Sequence, residues 1–120
     1  MSDESYQFWS ELEKWSQETF GPKSQRGPVG PLKHLAKEVV ETLNEPDNLE
    51  EYADCVFLIY DACQRAGFEY HELIATLTDK LKKNKKRQWP DWRTADLNKP
   101  IEHIRNEDQS KFTFENGNEE

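Results

Sequence analysis

Four carboxylates occur as two pairs in the central part of the chain. Glu38 and Glu41 are three residues apart, and Glu51 and Asp54 repeat that spacing. Residues three apart share one face of an α-helix, so each pair can direct its oxygens towards one point. Two helices joined by a short loop would bring the four acids together, and Mg²⁺ or Mn²⁺ favours all-oxygen ligands. The spacing therefore predicts a metal-binding helical hairpin.

A second group of polar residues follows about 26 positions after the acids, beside an apolar stripe. Lys80, Lys83, Asn84 and Arg87 recur at i, i+3, i+4 and i+7 and so share a helix face. Such a face suits a polyphosphate, although cations near a helix C-terminus also complement the helix dipole. Both interpretations of this group are open from spacing alone.

The surroundings of the acids strengthen the metal hypothesis. Pairs of acids three apart are ordinary on solvated helices, so one pair alone carries little weight. The second pair, however, lies in a helix that is apolar on nearly all sides, from Leu49 to Ala66. Such a pattern predicts burial on most sides, and buried acids are costly unless they are paired or bound to metal.

Apolar periodicity predicts four helices that position these groups. They run over about residues 5–19, from Pro31 to a turn after Leu43, over about 49–66 and over about 70–86. Phe8, Leu12 and Trp15 form the apolar stripe of the first helix, while Gly21 and Gly67 end the first and third. The segment GPKSQRGPVGP between the first two helices is a loop by composition. Its Lys23 and Arg26 suit a phosphate, and a simple connector explains it equally well.

The length of 120 residues suits one domain. We expect that domain over residues 1–106, with an extended arm from about residue 90 and a flexible acidic tail over 107–120. Because only 34% of the residues are hydrophobic and 33% are charged, the core of one chain is small. The predicted fold is all-α, with helical hairpins in a four-helix-bundle-like arrangement that oligomerisation completes.

Charge and cysteine content exclude several classes of protein. A formal net charge of −8 argues against binding to nucleic acid or to an anionic membrane. No run approaches the roughly 18 apolar residues that span a bilayer, and the N-terminus lacks the apolar segment of a signal peptide. Cys55 and Cys63 are too far apart along one helix for a disulfide. These features predict a cytoplasmic protein.

The acids and their flanking residues resemble a known family. EVVE…EYAD, which contains the four acids, is similar to the signature of the all-α nucleotide pyrophosphohydrolases, the MazG-like superfamily. GPLKHLAKEVVE at 30–41 and LKKNKKRQWPDW at 81–92 resemble the dATP/dGTP pyrophosphohydrolase branch, which includes phage MazZ-type enzymes. The resemblance covers roughly residues 8–105.

This resemblance implies a reaction in which water splits a (deoxy)nucleoside triphosphate into a monophosphate and pyrophosphate, with a purine deoxynucleotide (dGTP or dATP) as substrate. It implies two or three Mg²⁺ or Mn²⁺ ions, with Glu38 or Glu41 accepting the proton of the attacking water. The metal ligands it implies are Glu38, Glu41, Glu51 and Asp54. The phosphate-binding residues it implies are Lys80, Lys83, Asn84 and Arg87.

Further expectations come from the same resemblance. Asp61 and Glu50 would support the metal ligands, and Trp9, Trp15 or Trp89 would stack on the base. The chain would assemble as a dimer or a tetramer, in a bacterial cytoplasm or in that of a phage host. The alternatives are a non-catalytic acidic interaction protein, such as an adaptor or antitoxin-like partner, and the same fold acting on dCTP, dUTP or a phosphoribosyl-nucleotide. Nucleic-acid binding through residues 80–87 is a third alternative, which the net charge opposes.

Overall fold

The helices of the computed structural model follow the periodicity of the sequence. Residues 3–105 are described, and this part of the chain contains helices and turns but no strand, so the all-α prediction is confirmed. The α-helices are α1 (Asp3–Phe20), α2 (Val29–Asn44), α3 (Leu49–Arg65) and α4 (Tyr70–Lys86), and a short 3-10 helix follows at Trp92–Thr94. The predicted helix ends lie within about two residues of these bounds.

The described part of the chain divides into two compact units, one up to Ala75 and one from Thr76 onwards. In the first unit α3 is the central helix, because both α1 and α2 pack against it. The second unit contains the C-terminal part of α4 and the segment after it. The predicted tail over 107–120 lies outside the described residues, and the prediction of a single domain over 1–106 stays a prediction.

Local signals place the hairpin of α2 and α3. Asn48 caps α3, since its side chain accepts a hydrogen bond from the Glu50 backbone N–H at 3.1 Å. Gly67 ends α3 with a φ of 100°, a left-handed conformation that glycine adopts without a Cβ clash. Between the two helices, the Thr42 hydroxyl donates to the Glu38 carbonyl at 2.8 Å and lies 3.3 Å from the Glu51 carbonyl.

The buried face of α1 differs from the predicted one. Trp9, Leu12 and Ser16 are buried, whereas Phe8 and Trp15 are about half exposed. Trp9 packs against the rings of Tyr60 and Tyr70, with centroid distances of 5.1 and 5.3 Å. The buried face of α1 is the one that carries Ser16, because the Ser16 hydroxyl donates to Asp61 and accepts from Arg65, two charged side chains of α3.

Burial on most sides was predicted for α3, and within residues 3–105 this prediction is wrong. The face of α2 turned towards α3 carries Leu35, Glu38 and Thr42, which are partly buried, while the aliphatic stripe of α2 points outwards. The exposed aliphatic and aromatic residues of the two helices are Leu32, Val39, Val40, Leu43, Leu49, Tyr52, Val56 and Ile59. The helices between residues 3 and 105 leave these stripes uncovered.

The segment after α4 contains more local structure than the predicted extended arm. Asp91 caps the 3-10 helix by accepting from the Arg93 backbone N–H at 3.0 Å. The Ile104 backbone N–H donates to the Gln88 carbonyl at 2.7 Å. None of the helices between residues 3 and 105 combines the length and apolarity needed to cross a membrane.

Candidate functional site

Three of the four predicted acids converge in the first unit. Oxygens of Glu38, Glu41 and Glu51 all lie within 4.8 Å of one another. The spacing of three residues places the first two on one face of α2, and the tight turn to α3 brings the third opposite them. Thr42 links the two helices at this level, because its hydroxyl lies near carbonyls on both.

Electrostatics makes this cluster costly without a cation. Burial raises the pKa of Glu51, and the negative charges around it raise that pKa further. The residues that contribute those charges are Glu41, Glu45, Asp54 and Glu38. Negative groups at this separation repel strongly, so the cluster favours either a proton or a metal ion.

Unpartnered oxygens support a metal ion as the missing partner. Oε1 of Glu38 and Oε1 of Glu51 are buried and receive no hydrogen bond, although buried polar atoms are normally paired. The other oxygen of Glu38 lies 3.4 Å from Nε2 of His34. Three converging carboxylates, two of them with an unpartnered oxygen, match the ligands that Mg²⁺ and Mn²⁺ prefer. The residues present therefore fit a hard divalent cation.

Asp54 does not join the three-acid group. It is exposed, and it lies one turn beyond Glu51, about 4.5 Å further along α3. Its charge still acts on Glu51, and it lines the adjacent cavity together with Glu38. Metal binding by Asp54, and by the other three acids, stays a prediction.

A cavity of about 570 Å³ adjoins the acids, a volume within the usual range for small-molecule sites. One side is aromatic: Trp15 lies 5.3 Å from Phe20 and 5.9 Å from Phe57, measured between ring centroids. The polar lining residues are Arg26, His34, Glu38, Asp54, Asp61 and Arg65. An aromatic wall beside carboxylates suits a ligand with a flat ring and an anionic, metal-binding end.

Among the three tryptophans predicted to stack on a base, Trp15 lines this cavity. Trp9 is only 2% exposed and belongs to the core of the first unit. Trp89 belongs to the second unit, where its ring packs against His103 at 5.9 Å and its Nε1 donates to the Asn84 carbonyl. The position of Trp15 makes it the base-stacking candidate of the first unit.

Arg65 holds the wall of the cavity together and is not free to bind a ligand. Its Nε donates to Asp61 Oδ1 at 3.0 Å, Nη1 donates to the Gly21 and Arg26 carbonyls, and Nη2 donates to the Ser16 carbonyl and hydroxyl. These five bonds use all the donors of a guanidinium. The side chain thereby fastens α1 and the loop after it to α3.

Asp61 and Glu50 were expected to support the metal ligands. Asp61 instead pairs with Arg65 and accepts a hydrogen bond from Ser16 Oγ at 2.7 Å, and neither of these partners is one of the acids. The side chain of Glu50 is exposed at the start of α3. Neither residue belongs to the group of three acids.

The predicted phosphate-binding residues lie in the second unit, three on the C-terminal part of α4 and Arg87 directly after it. Lys80 and Lys83 are exposed, while Asn84 and Arg87 are partly buried. Arg87 Nη1 donates to Asn84 Oδ1 at 2.9 Å, which leaves the amide N–H groups of Asn84 available. Phosphate binding by these four residues stays a prediction.

Sequence reasoning missed several residues that build the cavity, above all Ser16, Arg65, Phe20 and Phe57. The spacing of Asp61 and Arg65, four apart in an apolar helix, was a usable signal for a buried pair. The roles of Ser16 and Phe20 had no such signal, because they depend on how α1 packs. Arg26, which the loop composition did point to, lines the cavity, whereas Lys23 does not.

Two comparisons with known proteins found matches. A family model described as dATP/dGTP pyrophosphohydrolase matches residues 8–108. The Eaa protein of Salmonella phage P22 is 40% identical over 97 residues, which are 81% of this chain and 29% of that protein. The chain thus spans less than a third of the length of this relative. No solved structure matches the chain.

Proposed function

Because the chain belongs to the dATP/dGTP pyrophosphohydrolase family, we propose that it hydrolyses a purine deoxynucleoside triphosphate to the monophosphate and pyrophosphate, with a divalent metal ion. The observation that carries this proposal is the convergence of Glu38, Glu41 and Glu51 with two buried oxygens left unpartnered. That arrangement beside an aromatic cavity is what a metal–triphosphate substrate requires.

We propose that these three acids, with Asp54 at the cavity edge, hold Mg²⁺ or Mn²⁺. When bound, such ions lower the pKa of a coordinated water and neutralise charge on the phosphates. Two or three ions are consistent with four carboxylates. The chain's own task here is to hold its oxygens in place, which Thr42 and His34 support through their contacts with the Glu38 region.

Glu38 or Glu41 would accept the proton of the attacking water. Glu38 is the better placed of the two for this role, because it belongs to the acid cluster and also lines the cavity. His34, at 3.4 Å from Glu38, can orient that carboxylate and share its proton. Glu41 is exposed and does not line the cavity, so a substitution of Glu41 leaves the cavity itself unchanged.

The cavity would bind the base and sugar. Trp15 and Phe57 provide ring faces and edges for a purine, and Arg26 at the loop adds a cation to the lining. Lys80, Lys83, Asn84 and Arg87 would bind the pyrophosphate part of the substrate, a proposal that rests on their motif and spacing. Arg87 would orient the Asn84 amide for that purpose.

Self-association and location complete the proposal. The aliphatic stripes of α2 and α3 are exposed on one chain, and exposed apolar surface of this kind is typical of an interface between copies. We therefore propose a dimer or a tetramer.

A cytoplasmic location follows as an expectation from the nucleotide substrate and from Cys55 and Cys63, which are free thiols.

The test is pyrophosphate release from each of the common deoxynucleoside and ribonucleoside triphosphates, with Mg²⁺, Mn²⁺ or EDTA. We expect metal-dependent release from dGTP or dATP, and a loss of at least about a hundredfold in Glu41→Gln, since one ligand charge is removed without a change in size. Glu18→Gln, an exposed acid in an ion pair with Lys14 on α1, is the matched control and should retain full activity.

Each other outcome has a definite meaning. Release mainly from dCTP or dUTP would keep the reaction and overturn the purine assignment. Full activity in Glu41→Gln would overturn the site. An absence of turnover on every nucleotide would favour an acidic interaction protein.

A further inference from the structure

One acid of the cavity has no place in the metal site. Asp61 lies on the same face of α3 as Asp54, seven residues and about 10 Å further along the helix axis. Both acids line the cavity, and so do Phe57 and Leu58 between them. A base is separated from its phosphates by a sugar, and two helical turns match that separation. Asp61 is thus placed to meet the base when Asp54 is near the phosphates.

The carboxylate of Asp61 is only half satisfied. The residue is 5% exposed, and its two hydrogen bonds, from Ser16 Oγ and Arg65 Nε, both end on Oδ1. Within residues 3–105 no hydrogen bond ends on Oδ2, and Oδ2 is not one of the fully buried oxygens that lack a partner, so this oxygen keeps access to solvent. Because Asp61 lines the cavity, a ligand there can supply the missing donor.

Arg65 keeps this carboxylate available for recognition. The guanidinium balances the charge of Asp61, and its five hydrogen bonds fix the position of the pair. A ligand therefore does not need to bring a cation; it needs N–H groups directed at Oδ2. An ionised carboxylate can only accept hydrogen bonds, so the site discriminates between bases by their donors.

Guanine offers two adjacent donors to a carboxylate and adenine only one. The Watson–Crick edge of guanine carries an N1–H and a 2-amino group side by side, whereas in adenine the single donor, the 6-amino group, lies next to an unprotonated N1. A lone pair of adenine N1 would face the lone pairs of the carboxylate. We propose that Asp61 is a specificity-determining residue that accepts hydrogen bonds from N1–H and the 2-amino group of guanine. The inference rests on the proposed function to the extent that the ligand is a purine nucleotide.

The test compares base analogues on the unaltered protein. Isothermal titration calorimetry with Mg²⁺ would measure the binding of dGMP, dIMP, dAMP and 7-deaza-dGMP. We expect dIMP, which lacks only the 2-amino group, to bind about tenfold more weakly than dGMP, and dAMP to bind more weakly still. The 7-deaza analogue keeps both donors and should bind as dGMP does.

Asp61→Asn provides a second measurement on the same ligands. Its amide replaces an acceptor with a donor, so the difference between dGMP and dIMP should shrink to less than about threefold, while dAMP should gain relative to dGMP. Asp79→Asn, an exposed acid on α4, is the control and should preserve the dGMP preference. Thermal unfolding would show whether Asp61→Asn remains folded, and the analogue series on the unaltered protein does not depend on that.

The inference and the proposed function fail separately. Equal binding of dGMP and dIMP, or no measurable binding of any of the four, overturns the role of Asp61 and leaves it as a partner of Arg65 alone. If such a binding result is found together with pyrophosphate release from dGTP and dATP at equal rates, the proposed hydrolase reaction is retained and only the role of Asp61 is rejected. A dGMP preference in a chain that releases no pyrophosphate would overturn the reaction and keep the guanine site.

Discussion

At the scale of single residues, Glu51 destabilises the metal-free protein and is at the same time a proposed metal ligand. Its charge is opposed by burial and by the acids around it, which raise its pKa. We expect Glu51→Gln to raise the thermal midpoint of the metal-free protein by a few degrees in EDTA, because one source of repulsion is removed. The same change should abolish the stabilisation that Mg²⁺ or Mn²⁺ gives to the unaltered protein. Differential scanning calorimetry with EDTA and with excess metal would measure both effects.

The difference in stability between Glu51→Gln and the unaltered protein in EDTA should depend on pH with a defined sign. A carboxyl whose folded-state pKa is raised contributes stability below its unfolded pKa and loses it as the pH rises through the folded value. The advantage of Glu51→Gln in EDTA should therefore shrink on acidification and be full at neutral pH. Glu50→Gln, at the neighbouring exposed position, should show neither the gain nor the loss of metal response. A lower midpoint for Glu51→Gln in EDTA at neutral pH would contradict this account.

At the scale of helices and their contacts, the buried pair of Arg65 and Asp61 organises the first unit. Arg65→Ala would leave the Asp61 carboxylate buried without its cation and would release α1 and the following loop from α3. We expect a loss of about 3–5 kcal/mol in the free energy of unfolding, the usual cost of breaking a buried ion pair. Urea denaturation followed by circular dichroism would measure it.

The second unit offers a control for burial. Arg93 and Asp91 form an ion pair with the same distance of 3.0 Å, but both side chains are at least half exposed. Arg93→Ala should cost less than about 1 kcal/mol. Similar losses in the two variants would mean that burial does not decide the contribution of Arg65.

Sequence signals predicted the helices better than the faces they bury. Helix ends are encoded locally, by the cap Asn48 and by the glycines after α1 and α3, so their positions followed from spacing and residue type. Which face of α1 turns inwards is decided by α3, whose Arg65 needs acceptors such as Ser16. That requirement is not visible in the periodicity of α1. The spacing of the acids is a local signal, and it predicted the approach of Glu38, Glu41 and Glu51 but not the separate position of Asp54. The aromatic wall of the cavity depends on how the helices pack, so it was missed.

At the scale of the whole molecule, exposed aliphatic side chains bear on assembly. Leu43 on α2 is 73% exposed and Val40 is 56% exposed, and both belong to a stripe whose periodicity is that of a core. If copies of the chain cover this stripe, Leu43→Asp would bury a charge in the interface and should dissociate the assembly. Light scattering coupled to size-exclusion chromatography should give two or four times the chain mass for the unaltered protein, and the chain mass for the variant.

Leu97 provides the matched control for this measurement, since it is also a leucine and is 98% exposed, but it lies in the segment after α4. Leu97→Asp should leave the mass of the assembly unchanged, because an isolated exposed leucine contributes little to an interface. If the unaltered protein elutes with the mass of one chain at micromolar concentration, the stripe is not an interface between copies. If both variants dissociate equally, added charge rather than position is the cause. Only loss of the assembly in Leu43→Asp alone assigns the interface to the exposed face of α2.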